Sequence, residues 1–151
     1  MSDSDDTLAE LTRIAQESAQ AYFSGDLDTY EDLVRHGDDF SLMPPFGGQT
    51  VHGFVLNDET RESTRRTFHG GKVTVDVDAA YVGADLAVLA VVERQAGQVG
   101  ELPAQDWSLR VTLAFRREGE EWRLVHRHAV ALVHPIEWDT LSRLARGSAG
   151  E

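Results

Sequence analysis

Two arginines, two histidines and a few carboxylates carry whatever chemistry this sequence has. Arg110 and Arg127 fall on one phase of two neighbouring apolar runs, together with Thr112. Guanidinium groups brought inside a protein are costly unless paired, and either an internal carboxylate or the oxygen of an anionic or carbonyl ligand can supply the pairing. Glu93, near the end of another apolar run, is the internal carboxylate expected to pair with Arg110. His126 and His128 are two apart, so on a strand they project to one face about 6 to 7 Å apart. A metal would need a third ligand that the spacing does not provide. Packing at a subunit interface is the expected use of this pair, with proton transfer as the alternative.

These residues are positioned by the stretch from Trp107 to Leu132. Leu109, Val111, Leu113 and Phe115 alternate at period two, as do Trp122, Leu124, His126 and His128 after Glu118-Gly119. The pattern predicts a two-stranded hairpin with Phe115 near Trp122, Leu113 near Leu124, Val111 near His126 and Leu109 near His128. Its opposite face then holds Arg110, Thr112 and Ala114 beside Arg123, Val125, Arg127 and Ala129. Neither face is a solvent face. One is expected to close on the protein's own helices over a pocket and the other to meet a second subunit. The phase depends on the turn, because a one-residue bulge at Glu118 to Glu121 would exchange the faces of one strand.

The 151 residues suffice for one domain with one core, read as residues 7–146 between polar tails at 1–6 and 147–151. A net charge of −12 argues against nucleic acid or an anionic membrane as partner. Cysteine is absent, which excludes disulfides, thiolate catalysis and cysteine zinc sites. No run of about 18 apolar residues occurs, and a cytoplasmic protein is expected.

Along the chain, Thr7 and Glu10 suggest a capping box before a helical stripe of Leu8, Leu11, Ala15, Ser18, Ala19 and Tyr22 that stops at Gly25. Asp26 or Asp28 caps a second helix carrying Leu27, Tyr30, Leu33 and Val34, ended by Gly37. A short strand at 38–43 runs into the rigid loop Pro44-Pro45-Phe46-Gly47-Gly48. Asn57 or Asp58 caps a third helix to about Phe68, and His69-Gly70-Gly71 breaks the chain. Strands follow at 73–79 and 86–94, then a flexible loop at 96–105 and the hairpin. Pro135 starts a last short helix with Ile136, Trp138, Leu141 and Leu144 on one side. Helices first and an antiparallel sheet second make an α+β fold.

Three segments, YFSGDLDTYEDL, DDFSLMPPFGG and LRVTLAFRREGEEWRLVHRHA, resemble the NTF2-like superfamily in its SnoaL-like or DUF4440 branch, over about residues 8–134. The last also resembles the end of the association domain of calcium/calmodulin-dependent kinase II. The resemblance implies a cone, in which a strongly curved, mixed but mainly antiparallel sheet wraps N-terminal helices and leaves a pocket. It also implies a homodimer through the outer sheet face. By the resemblance, the phase holding Arg110 and Arg127 is the concave one. Asp39 and Asp106 are then the carboxylates nearest the cavity and the candidates for a general base. Tyr22 and Trp107 would line its wall or mouth, or serve as core.

Ketosteroid isomerases of this fold carry their base in the loop after the first short strand, where this chain has Pro44, which cannot move a proton. Their oxyanion-hole residues also lack counterparts. The expected function is therefore binding of a small apolar molecule with a carbonyl or carboxylate, extended to proton-transfer chemistry of the isomerase, cyclase or hydratase type, without metal or cofactor. The alternative is a non-catalytic dimerisation or scaffold domain whose interior arginines serve the fold alone.

Overall fold

The computed structural model describes residues 3–147; the outermost residues of both expected tails lie outside them. Helix α1 (Asp3–Phe23) starts before Thr7, since Asp3, Asp5 and Asp6 in its first turn suit the positive end of the helix dipole. It buries Leu11, Ile14, Ala15, Ser18, Ala21 and Phe23, a face rotated away from the expected Ala19 and Tyr22. Gly25 ends this segment at a φ of 76°, and a Cβ there would lie 2.6 Å from the Phe68 carbonyl oxygen. Helix α2 (Leu27–Leu33) is capped by Asp26, whose carboxylate accepts from the Thr29 amide at 3.1 Å. Gly37 does not end it; that residue is buried inside strand β1 (His36–Met43).

After β2 (Val51–His52), α3 (Asp58–Thr67) opens on a reciprocal capping box between Asn57 and Thr60. Strand β3 (Phe68–Val82) follows directly, so residues 69–71 form a distorted strand start rather than a break. Strand β4 (Leu86–Val99) runs into the expected flexible loop, and β5 (Gln105–Asp106) pairs back onto it. The chain then builds β6 (Leu109–Glu118), β7 (Glu121–Ala131) and α4 (Trp138–Leu144). The sheet order is β2-β1-β7-β6-β4-β3, antiparallel throughout except for the β1/β7 pair. Leu11, Ile14 and Ala15 of α1 pack with Val91, Val111, Leu113, Phe115 and Leu124 of the inner sheet face into one core. No helix among the described residues is long and apolar enough to cross a membrane.

The outer edge of β3 is closed by α1. Gln16 donates to the Val73 carbonyl and accepts from the Val75 amide, both at 2.8 Å. Gln20 does the same to Gly71 and Val73 at 3.0 Å. Four residues of helix rise about 6 Å and two residues of strand about 6.8 Å, so glutamines spaced four apart match the edge and stand in for a neighbouring strand.

The hairpin register differs from the expected one. Glu118 pairs with Glu121, Arg117 with Trp122 and Phe115 with Leu124, but Ala114 pairs with His126, leaving Val125 as an extra residue. This bulge lies in mid-strand rather than at the turn, and it exchanges the faces of β7 beyond it. Leu124, Arg127 and Ala129 join Phe115, Leu113 and Val111 on the inner face, while His126, His128 and Val130 join Ala114, Thr112 and Arg110 on the outer one.

Candidate functional site

The inner face of β4 carries its apolar residues at Ala87, Leu89 and Val91, and then turns polar at Glu93 and Gln95. Arg127 reaches Glu93 with both arms of its guanidinium, Nη1 to Oε2 at 2.7 Å and Nη2 to Oε1 at 2.9 Å. The Gln95 amide donates to the same carboxylate at 2.8 Å. Glu93 is 2% exposed and Arg127 24%. Arg127 faces Leu113 and, beyond it, Leu89, four residues from Glu93 along β4. On a flat sheet these two backbones would stand roughly 16 Å apart, near the limit of extended side chains. Coiling of the sheet around its helices brings the two groups together.

Burial works against the charged form of Arg127, yet the Glu93 carboxylate and the two hydrogen bonds outweigh it and raise the guanidinium above its ordinary value. The fork uses two of the five N–H donors on Glu93 and leaves three with no protein partner among the described residues. Two tyrosines stand beside it. Tyr22, 38% exposed, turns its hydroxyl toward Arg127 and Thr64, and burial raises that hydroxyl above the usual phenol range, partly offset by Arg127. Tyr30 is raised more strongly for the same reason. The Tyr30 hydroxyl is 3.1 Å from His36 Nε2, and the His36 ring stacks on Phe54 at 4.1 Å and meets Phe40 edge-on. Burial pushes His36 down to about 4, so it is neutral at pH 7. His36 and Phe54 also floor an open groove of about 520 Å³ rimmed by Arg35, Arg123, Glu31 and Glu121.

The profile of the SnoaL-like domain family matches residues 12–133, most of the chain and all of this site. The chain belongs to the SnoaL-like domain family. Among proteins of curated function, none matches it. Its fold is similar to that of an NTF2-like superfamily protein from Salmonella enterica, with a TM-score of 0.67, 17% identity, and 87% of this chain and 94% of that one covered. A proposed dehydratase of the NTF2-like family from Streptomyces avermitilis gives 0.64 and 19%, covering 87% and 99%. The association domain of calcium/calmodulin-dependent kinase II from Caenorhabditis elegans gives 0.61 and 16%, covering 85% and 98%. At these identities the likeness is one of fold, and it agrees with the α+β cone.

Within this SnoaL-like domain the expected site residues separate. Arg127, Glu93 and Tyr22 come together, and Gln95, Tyr30 and His36 join them. Arg110 does not: it lies exposed on the outer face opposite Val92 and Val130, so the partner of Glu93 is Arg127. Thr112 is also exposed there, opposite His128. Asp39 lies on the surface, gripped by Arg116 at 2.9 and 3.0 Å, and that hydrogen-bonded pair holds its carboxyl below the usual range. Asp106 accepts from the Ser108 amide at 2.8 Å and faces solvent, with its carboxyl lowered by Ser108. Neither carboxylate lines the Arg127 site.

Trp107 does continue the inner row, its amide bonded to the Gln95 carbonyl at 2.7 Å. Its indole Nε1 is buried with no hydrogen-bond partner among the described residues. His126 accepts from or donates to Ser41 Oγ at 2.7 Å on the outer face. Gln95 and Tyr30 had readable signals. Gln95 shares the inner phase of β4 with Glu93, and Tyr30 was legible only as one more residue of an apolar stripe. His36 had none, because its surroundings come from four separate segments.

Proposed function

We propose that this SnoaL-like domain binds a small, largely apolar molecule through a neutral carbonyl or similar oxygen at Arg127. The observation that carries the reading is the partly committed guanidinium: Glu93 fixes its orientation and leaves three donors uncommitted on a side chain that is 24% exposed, with Tyr22 beside it. Glu93 also cancels its charge. A carboxylate ligand would gain little from a neutralised pair and would enter a protein of net charge −12, whereas a dipolar carbonyl needs only the donors. With Asp39 and Asp106 elsewhere and Glu93 held by Arg127 and Gln95, the site offers donors rather than an available carboxylate base, which favours binding over turnover.

Thermal unfolding against matched pairs of neutral carbonyl compounds and their carboxylate analogues tests this. A ligand at 100 times its Kd adds about 2.7 kcal/mol and raises the midpoint by roughly 5 to 10 °C for a domain of this size. Carbonyl compounds should produce the shift, Tyr22→Phe should weaken it and Arg127→Lys should abolish it. A larger response to the carboxylates, or none to any compound, would sink the reading.

The convex sheet face supports a second reading, self-association. Val88, Ala90, Val92 and Ala114 form an apolar centre there, ringed by Arg110, His126 and His128. That composition suits a second copy better than water. Ala90→Arg should dissociate the assembly in light scattering; an unchanged mass would reject this face.

A further inference from the structure

Strand β7 ends at Ala131, and an uncovered apolar arm follows. Leu132 still bonds through its amide to the Ser108 carbonyl at 2.9 Å, residues 133–137 lie outside any helix, strand or turn, and Pro135 restricts His134 before it. Helix α4 buries none of its residues. Trp138 is 84% exposed, and Val133, Ile136, Leu141 and Leu144 are exposed with it.

A second apolar surface lies beside the root of this arm. Strands β1 and β7 are parallel, so β1 ends at the same end of the sheet, with Met43 opposite His128. Met43, Val51 and Phe46, the last 88% exposed, are uncovered there.

We propose that the two surfaces cover one another between copies: each arm seats Trp138 and Leu141 on the Met43–Phe46–Val51 end of a second chain. An arm rooted beside its own receptor surface, with neither surface covered within the single chain, closes reciprocally in a twofold pair. The area is sufficient. Trp138 offers roughly 200 Å² and Leu141 roughly 50 to 100 Å², about 300 Å² for the arm. Two arms and the two surfaces they cover then bury on the order of 1,200 Å², the lower end of the range for a stable interface. A single copy would leave exposed an apolar patch at the upper end of what monomers show. This contact is separate from the convex sheet face and does not rest on it.

The lack of cysteine allows a direct test. Phe46→Cys and Leu141→Cys chains, each with one thiol, are mixed under mild oxidation and run on a non-reducing gel. A mixed disulfide dimer forming several times faster than either variant bridges with itself is the expected result. An internally bridged monomer from the doubly substituted chain would mean that the arm folds onto its own body, and the proposal fails. No Phe46–Leu141 bridge at all, with a dimer still seen by light scattering, also overturns it and leaves the sheet face as the contact. Independently, Trp138→Asp should raise the dimer Kd by on the order of 30-fold, the loss of a central anchor; an unchanged Kd rejects the arm.

Discussion

Arg127 and Arg110 sit on adjacent strands of one hairpin and meet opposite fates. Arg127 enters the concave face, where a buried carboxylate and an amide side chain await it and two tyrosines stand beside it. Arg110 lies on the convex face among Val92, Thr112 and Val130, exposed. Residue type does not separate them. The single extra residue at Val125 does, by turning the last half of β7 over. A buried arginine is therefore a property of the register, and its partner must be supplied by another strand.

The sharpest way to break the comparison is through the pair itself. Arg127→Met leaves Glu93 uncompensated and should lower unfolding stability by about 3 to 5 kcal/mol, while Arg127→Met combined with Glu93→Met should recover most of the loss. Chemical denaturation of the two single variants and the double variant measures the coupling. Additive losses would contradict an ion pair.

His36 gives a smaller, pH-dependent effect. Its ring is held down to about 4 against an ordinary 6.5, so on acidification the unfolded chain takes up the proton first. Its contribution is complete above about pH 6.5 and is lost as the pH falls toward 4, amounting to roughly 3 kcal/mol. His36→Phe should flatten that part of the stability profile. An unchanged slope would place the acid sensitivity in other groups.

The smallest effects belong to the convex and outer surfaces. Arg110→Ala and Asp39→Asn should each leave the thermal midpoint of the single chain almost unchanged, as exposed ion pairs and surface positions do. Neither should alter the response to carbonyl ligands. A loss of ligand response in Arg110→Ala would reinstate it as a site residue.

Much of the local structure was legible in the residues. The caps at Asp26 and Asn57, the stop at Gly25, the turn near Gly119 and the central strand from Leu86 are short-range matters of backbone propensity and patterning, settled within a few residues. Glu93 was legible as the carboxylate that an interior arginine would need. The edge closure by Gln16 and Gln20 was not, because polar residues on a helix flank look solvent-facing until a strand edge is laid beside them.

The sequence by itself determined that this chain has one α+β core, an interior carboxylate on a central strand, and a resemblance to a curved-sheet family. Only the tertiary structure decided which arginine meets that carboxylate, and that Asp39 and Asp106 are surface groups. The physical reason is the two-residue repeat of a strand: alternation names two faces but not which one is inside, and one bulged residue reverses the answer for everything beyond it.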